Sequence, residues 1–117
     1  MTFARFAFLA ALLCSPAAFA QDSSAARYLP ECRLSSVERL TSADDVIKAA
    51  HCGGMLYALI SSAQFLDQPA RFCPPAGIRV SQVAQAVVRF IEGVPQRQNE
   101  PFIPMALEGL RQAWPCR

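Results

Sequence analysis

The spacing of the cysteines constrains the fold of this chain more than any other feature. Five cysteines occur in 117 residues, and four of them, Cys32, Cys52, Cys73 and Cys116, are spread along the chain beyond its apolar N-terminus. Whether they form disulfides or hold a metal depends on the compartment. Four cysteines allow three disulfide pairings, and the arrangement of the helices is needed to select one of them.

The N-terminus has the organisation of a secretory signal peptide. Residues 1–5 carry one positive charge, residues 6–13 are all apolar, and Ala18-Phe19-Ala20 provides a small-residue cleavage site. We predict cleavage after Ala20 and a secreted mature domain of residues 21–117. Lipidation at Cys14 is a less favoured alternative because Leu13 before it is bulky. The apolar run is shorter than the roughly 20 residues of a membrane-spanning helix, and we expect no span later in the chain.

The composition of the mature chain favours a small cross-linked domain. It has 97 residues, 117 less the 20 of the signal peptide, and a domain of this size buries only about 60 to 65% of its unfolded surface. Two disulfides would stabilise it, whereas a zinc site is disfavoured because there is no CxxC motif and His51 is the only histidine. Its 10 basic residues, 11 less Arg5, nearly balance 9 acidic ones, which argues against nucleic acid as a partner.

The first half of the mature chain predicts two helical segments. Residues 25–40 are weakly patterned, and we expect one or two short helical turns around Cys32. A second helix is predicted to begin after Ser42, with acidic residues in its first turn, and to extend to about residue 66. Because it is apolar nearly all round, we predict that it is the buried central helix. Gly54 and Ala58, four residues apart, are expected to let a neighbouring helix approach closely.

Two further helices complete the predicted fold. Apolar residues recur at helical spacing over residues 80–92, and Gly93 and Pro95 end this amphipathic helix. Over residues 99–114 the apolar residues again share one face, and the helix either begins near Pro104 or kinks there. No segment alternates as a strand would. We predict an all-α fold, a small disulfide-stapled bundle of about four helices.

This bundle predicts how the cysteines pair. If the last three helices run up, down and up, Cys73 and Cys116 lie at the same end, while Cys52 lies roughly 22 Å lower at 1.5 Å per residue. Cys32 precedes the second helix and can reach Cys52. We therefore predict the pairs Cys32–Cys52 and Cys73–Cys116, the latter pinning the last helix to the loop that contains Cys73.

Three short motifs carry a resemblance to a known family. They are His51-Cys52-Gly53-Gly54-Met55-Leu56, Phe72-Cys73-Pro74-Pro75 and the closing Ala113-Trp114-Pro115-Cys116. In this order, with an amphipathic helix between the last two, they resemble the Rap/Tai family of periplasmic immunity proteins from Cys52 to Cys116. Met55 stands where the family has an aromatic residue, and Ala58 where it has a second glycine. The resemblance implies a small, secreted, helical protein that neutralises a peptidoglycan-cleaving amidase toxin delivered by type VI secretion.

The residues themselves do not favour catalysis. His51 is expected inside a buried helix, where a structural role is commoner than a catalytic one, and no nucleophile, base and orienting acid occur together. Asp44 and Asp45 fit the start of a helix. We predict a protein that is not an enzyme and that has no catalytic residue, metal or cofactor.

A binding module is favoured instead, and two segments are candidate contact surfaces. Residues 67–79 form a loop with three prolines, and anchoring it at Cys73 would lower the entropy lost on binding. Residues 96–100 are short and polar. The alternatives are that Phe72 is a lid on the core and that residues 96–100 are a solvated turn. The candidate partner contacts are Arg71, Phe72, Arg79, Arg97 and Glu100.

Two functions from different classes remain. One is an immunity protein that occludes the active site of a secreted cell-wall amidase without chemistry of its own. The other is a periplasmic chaperone-like or structural envelope protein. Neither needs nucleic acid or a membrane span, and both are compatible with a homodimer.

Overall fold

The computed structural model describes residues 22–117, and these residues form four α-helices. The helices are α1 (Ala25–Ser35), α2 (Ala43–Ser62), α3 (Val80–Gly93) and α4 (Phe102–Ala113). Short 3-10 turns extend α2 over Ala63–Phe65 and precede α4 over Pro95–Arg97. Within residues 22–117 the only β-type pairing is an isolated bridge between Ser24 and Pro101. The predicted all-α fold is confirmed; the predicted signal peptide lies outside the described residues.

The first helix is longer than the sequence analysis predicted. In place of one or two short turns, α1 is a continuous helix of 11 residues whose buried Ala25, Leu29 and Cys32 follow at helical spacing. The side-chain oxygen of Ser24 accepts a hydrogen bond from the backbone N–H of Arg27 at 3.3 Å and caps it. This part of the chain is stabilised by distant contacts, because the N–H of Ala25 donates to the carbonyl of Glu100 at 2.8 Å. Such support is invisible in the local pattern.

The central helix is α3, and the prediction that α2 occupies this place was wrong. Five residues of α3 are buried, namely Val83, Ala84, Val87, Val88 and Ile91, and this helix packs against the other three. By contrast, only Ala49, Cys52 and Leu56 are buried in the 20 residues of α2. The cap at Ser42 is confirmed, since its side chain accepts from the N–H of Asp45 at 3.1 Å. The apolar character of α2 is therefore divided between a face that packs on α1 and α3 and a face that does not.

The last helix begins at Phe102, so Pro104 lies within its first turn and does not kink it. The first N–H groups of a helix have no partner inside the helix, and a proline there loses little. Further along, Gly109 lies against α3: a Cβ atom at this position would be 2.9 Å from the Cβ of Phe90. This glycine allows α3 and α4 to pack closely.

Both predicted disulfides are confirmed. Cys32 pairs with Cys52 across 5.2 Å between Cα atoms and Cys73 with Cys116 across 5.0 Å. The first pair is fully buried between α1 and α2, whereas Cys73 is exposed on its loop. The N–H of Cys73 also donates to the carbonyl of Trp114 at 2.9 Å, so the chain end is held to this loop by two bonds.

The long second helix has the length and composition of a membrane span, which the sequence analysis did not expect. Over Ala43–Phe65 its mean hydropathy reaches 1.2, and only 22% of its most apolar window is buried. One such helix is weak evidence for insertion because the core helix of a soluble protein passes the same test. Here one face of α2 is joined to α1 through Cys52 and packs on α3.

Candidate functional site

A groove lies between the Cys73 loop and the C-terminal halves of α3 and α4. Its volume is about 520 Å³, and the residues that line it include Pro69, Arg71, Phe90, Glu108, Arg111 and Cys116. The disulfide forms part of its wall, and the ring of Phe90 lies where Gly109 brings α3 and α4 together. We call it the arginine groove. It is large enough to accept side chains of a partner protein.

The charges around the arginine groove are of two kinds. Arg97 donates to Glu108 at 2.8 and 3.0 Å and to Glu100 at 2.8 and 2.9 Å, so these three residues satisfy one another. Hydrogen bonds to Arg97 hold the pKa of both carboxyl groups below the usual range for Glu, and the two carboxylates in turn raise the pKa of Arg97. Arg71 and Arg111 are exposed, and neither forms a salt bridge with another residue in the part of the chain that the structure describes. The groove therefore presents two arginines without a salt bridge beside Glu108, and the cluster of one arginine and two glutamates next to them has one negative charge in excess.

The structure brings some of the predicted contact residues together and separates others. Arg71 lies in the arginine groove, and the ion cluster of Arg97 and Glu100 borders it through Glu108. Phe72 is only 1% exposed and belongs to the core, so its ring supports the loop from inside. Arg79 lies at the start of α3, outside the lining of the groove, where its guanidinium is 3.9 Å from Glu38.

Sequence analysis missed Glu108 and Arg111 as groove residues. Their spacing of three on the polar side of α4 was visible, but nothing in the local sequence places that side opposite Arg71, some 40 residues earlier. The only sequence feature that singles out Arg111 is its place as a basic residue near the end of an amphipathic helix. On its own that placement is explained by a favourable interaction with the helix dipole.

A second polar cluster lies beside the buried disulfide. Glu31 is 7% exposed, and one of its oxygens accepts from Arg27 at 2.7 Å while the other lies 2.7 Å from Nδ1 of His51. Burial opposes the charged form of Glu31, but the hydrogen bonds from Arg27 and His51 outweigh it and lower its pKa. The His51 side chain is 52% exposed, not enclosed in a buried helix as predicted, and its ring meets Tyr28 edge to face at 5.6 Å. This arrangement joins α1 to α2 next to Cys32 and Cys52.

Within residues 22–117 neither cluster contains a free thiol or a metal-ligand set. Among residues 22–117 no group of three or more His, Cys, Asp or Glu side chains is placed to hold a metal ion. The four cysteines are oxidised in disulfides. Both carboxylate oxygens of Glu31 are engaged, one by Arg27 and the other by Nδ1 of His51, so this cluster links α1 to α2.

The fold and the groove define a small, disulfide-stapled helical domain with the features of a protein-binding module. The chain belongs to the Rap1a immunity protein family, whose model matches residues 24–116. No curated protein and no solved structure matches the chain. The resemblance found in the sequence is thereby confirmed. Membership of this family indicates that the binding partner is a toxin. Immunity proteins of this family are generally non-catalytic.

Proposed function

We propose that the mature chain acts in the periplasm, where it neutralises a peptidoglycan-cleaving amidase toxin of a type VI secretion system by occluding its active site. The family supports a toxin as the partner, and its members are typically periplasmic. The signal-like N-terminus and the two disulfides are consistent with an oxidising compartment. The toxin-facing surface in this proposal is the arginine groove.

One observation carries the choice of surface: Arg71 and Arg111 are exposed in a groove whose wall is fixed by the Cys73–Cys116 disulfide. A loop that is already ordered loses less entropy when a partner binds. Arginine is enriched among the residues that dominate binding energy, and unpaired positive charge accelerates association with an acidic surface. The groove therefore combines a fixed wall with two exposed arginines that form no salt bridge within residues 22–117.

The partner is identified first by capture on the tagged mature chain from envelope extracts of the producing organism. We expect one small secreted cell-wall hydrolase at equal stoichiometry, with amidase activity that falls to background when the immunity protein is added. A captured hydrolase that cleaves another class of bond would contradict the proposal that the toxin is an amidase. A captured toxin that still turns over substrate in the complex would contradict occlusion of its active site.

The surface is tested with the double variant Arg71→Glu and Arg111→Glu in calorimetric titration against that toxin. We expect affinity to fall by at least about 100-fold, since residues that dominate an interface contribute about 2 kcal/mol or more each. The two single variants are measured as well, and Arg39→Glu is their matched control, since it makes the same charge change as each single variant on the α1–α2 loop, away from the groove. Equal losses in Arg39→Glu and in the single groove variants would mean that net charge, not the groove, matters; no loss in the double variant would place the contact elsewhere.

A chaperone-like role is the second candidate, and one observation favours it: α2 exposes large apolar residues such as Ile47 and Phe65. A chaperone would bind many unfolded clients weakly, and a dye that reports apolar surface would fluoresce more strongly with it at acidic pH. Capture of a single partner and an unchanged dye signal between neutral and acidic pH would reject this candidate.

A further inference from the structure

The two disulfides differ in how easily a thiol of another molecule can reach them. Cys32 and Cys52 are both 0% exposed and join α1 to α2 inside the core. Cys73 is exposed, and Cys116 is half-buried. Thiol–disulfide exchange begins with attack of a thiolate on one sulfur atom of the pair, so it depends on access to that atom. Exchange can therefore begin at Cys73–Cys116 while the buried pair stays intact.

A second groove lies beside Cys73, between the C-terminal end of α2 and the loop that contains this cysteine. We call it the Cys73 groove. Its volume is about 400 Å³, and the only charged residue that lines it is Arg71. A largely uncharged groove of this size next to an exposed disulfide can accept a segment of another protein. The residues that line it include Ile60, Ser61, Gln64, Arg71, Cys73 and Pro74.

The two cysteines of this pair line different grooves. Cys73 lines the Cys73 groove, whereas Cys116 lines the arginine groove together with Arg71 and Arg111. A nearby cation stabilises a thiolate, and a thiol with a lowered pKa leaves faster in exchange. Glu108 lines the same groove and opposes this effect, but its carboxylate is already bonded within the ion cluster that borders the groove. Cys73 is thus the accessible point of attack, and Cys116 is the better leaving group.

We propose that Cys73–Cys116 is a thiol–disulfide exchange site for a protein dithiol of the Cys-x-x-Cys type, which docks in the Cys73 groove and attacks Cys73. The attacking thiolate forms a bond to Sγ of Cys73, the bond to Cys116 breaks, and its electron pair leaves on Sγ of Cys116. The second thiolate of the dithiol then attacks the dithiol's own sulfur in the mixed disulfide and releases Cys73. The chain gains two electrons and two protons as two thiols, and the dithiol is oxidised to a disulfide.

Reduction at this site releases the end of the chain from the Cys73 loop. The remaining contacts there include the hydrogen bond from the N–H of Cys73 to the carbonyl of Trp114 at 2.9 Å and the packing of Trp114 against the core. Residues 115–117 belong to no helix. Without the disulfide the wall of the arginine groove is no longer fixed. Exchange then weakens toxin binding, a consequence that rests on the proposed function, whereas the exchange site itself does not.

The test traps the mixed disulfide between the mature chain and a thioredoxin whose second active-site cysteine is replaced by serine, so that the intermediate cannot resolve. Acid quenching followed by alkylation marks the released thiol, and peptide mapping locates each bond. We expect one mixed disulfide, at Cys73, with Cys116 alkylated and Cys32–Cys52 still oxidised. A mixed disulfide mainly at Cys116, earlier opening of Cys32–Cys52, or no mixed disulfide at all would overturn the proposal.

Two matched variants test docking in the Cys73 groove. Gln64 and Gln112 are both exposed, and the first lines the Cys73 groove while the second lines the arginine groove. Gln64→Tyr fills the Cys73 groove and should slow exchange with dithiol thioredoxin at least about tenfold, whereas Gln112→Tyr should not. Dithiothreitol is small and should open the disulfide of both variants at nearly the wild-type rate. Equal rates of the two variants with thioredoxin would contradict docking in this groove.

Trp114 reports on the end of the chain because it is the only tryptophan. After reduction with dithiothreitol we expect its emission to shift to longer wavelength while the far-ultraviolet circular dichroism stays unchanged. An unchanged emission, or loss of the helical signal, would contradict a local release of this segment. The reduced and alkylated chain should also bind the toxin more weakly than the oxidised chain. Trapping at Cys73 with unchanged toxin affinity would confirm the exchange site and contradict the toxin-binding surface proposed above.

Discussion

We expect the buried disulfide Cys32–Cys52 to contribute more to stability, and Cys73–Cys116 to contribute more to toxin binding. The relevant variants replace both cysteines of one pair by alanine, either Cys32 and Cys52 or Cys73 and Cys116. In the loop-entropy model a cross-link over 43 residues is worth about 4.0 kcal/mol at 25 °C and one over 20 residues about 3.3 kcal/mol. Loop length alone therefore predicts that loss of Cys73–Cys116 is the more damaging change.

Burial reverses this order. Cys32 and Cys52 are both 0% exposed, so removing their sulfur atoms leaves unfilled volume in the core, whereas Cys73 is exposed and its removal leaves little. Deleting a buried group the size of one methyl costs about 1 kcal/mol, and two such deletions raise the total for this pair to about 5 kcal/mol. We expect the free energy of unfolding to fall by about 5 kcal/mol without Cys32–Cys52 and by about 4 kcal/mol without Cys73–Cys116.

Urea unfolding followed by far-ultraviolet circular dichroism measures the stability order, and titration with the toxin measures the binding order. Loss of Cys73–Cys116 frees the wall of the arginine groove and should weaken binding more than loss of the buried pair, provided that both variants are folded at the temperature used. Limited reduction should also open Cys73–Cys116 first because its sulfurs are accessible. If the variant without Cys73–Cys116 proves the less stable of the two, loop entropy outweighs burial and the reasoning is refuted.

Three smaller perturbations test the packing. Replacing Glu31 by Gln should lower stability by about 1 to 3 kcal/mol at neutral pH, since a buried carboxylate loses its charged bond to Arg27. Because the folded pKa of Glu31 is lowered, its contribution is present above the unfolded pKa and is lost as the pH falls through the folded pKa. Thermal melts of the two proteins should therefore converge only at a pH below the usual range for a glutamate, and a constant gap would show that the charge of Glu31 is not responsible. Gly109→Ala should destabilise the domain by about 1 to 3 kcal/mol through the contact with Phe90. Gly54→Ala, the same change in a helix with open space, should stabilise the monomer by up to about 1 kcal/mol, and equal effects at both glycines would contradict the packing described here.

Several features could be predicted from the sequence because neighbouring residues determine them. The cap at Ser42, the amphipathic pattern of α3 and the stop after Gly93 all depend on interactions within one or two helical turns. The disulfide pairing also followed, since the lengths of the helices limit which cysteines meet. In contrast, α1 was underestimated because its N-terminus is bonded to residues more than 70 positions away.

The sequence by itself determined that this is a helical, disulfide-stapled domain with an immunity-protein pattern. Only the tertiary structure decided which helix is central and which surfaces remain free. The pattern of α2 is apolar on two sides, and a pattern cannot show which side the rest of the chain covers, because burial depends on the area that all four helices together can exclude from water. The same holds for Arg71 and Arg111, and for Glu31 and His51: each pair is distant in sequence, and only the packing of the helices brings its members to one site.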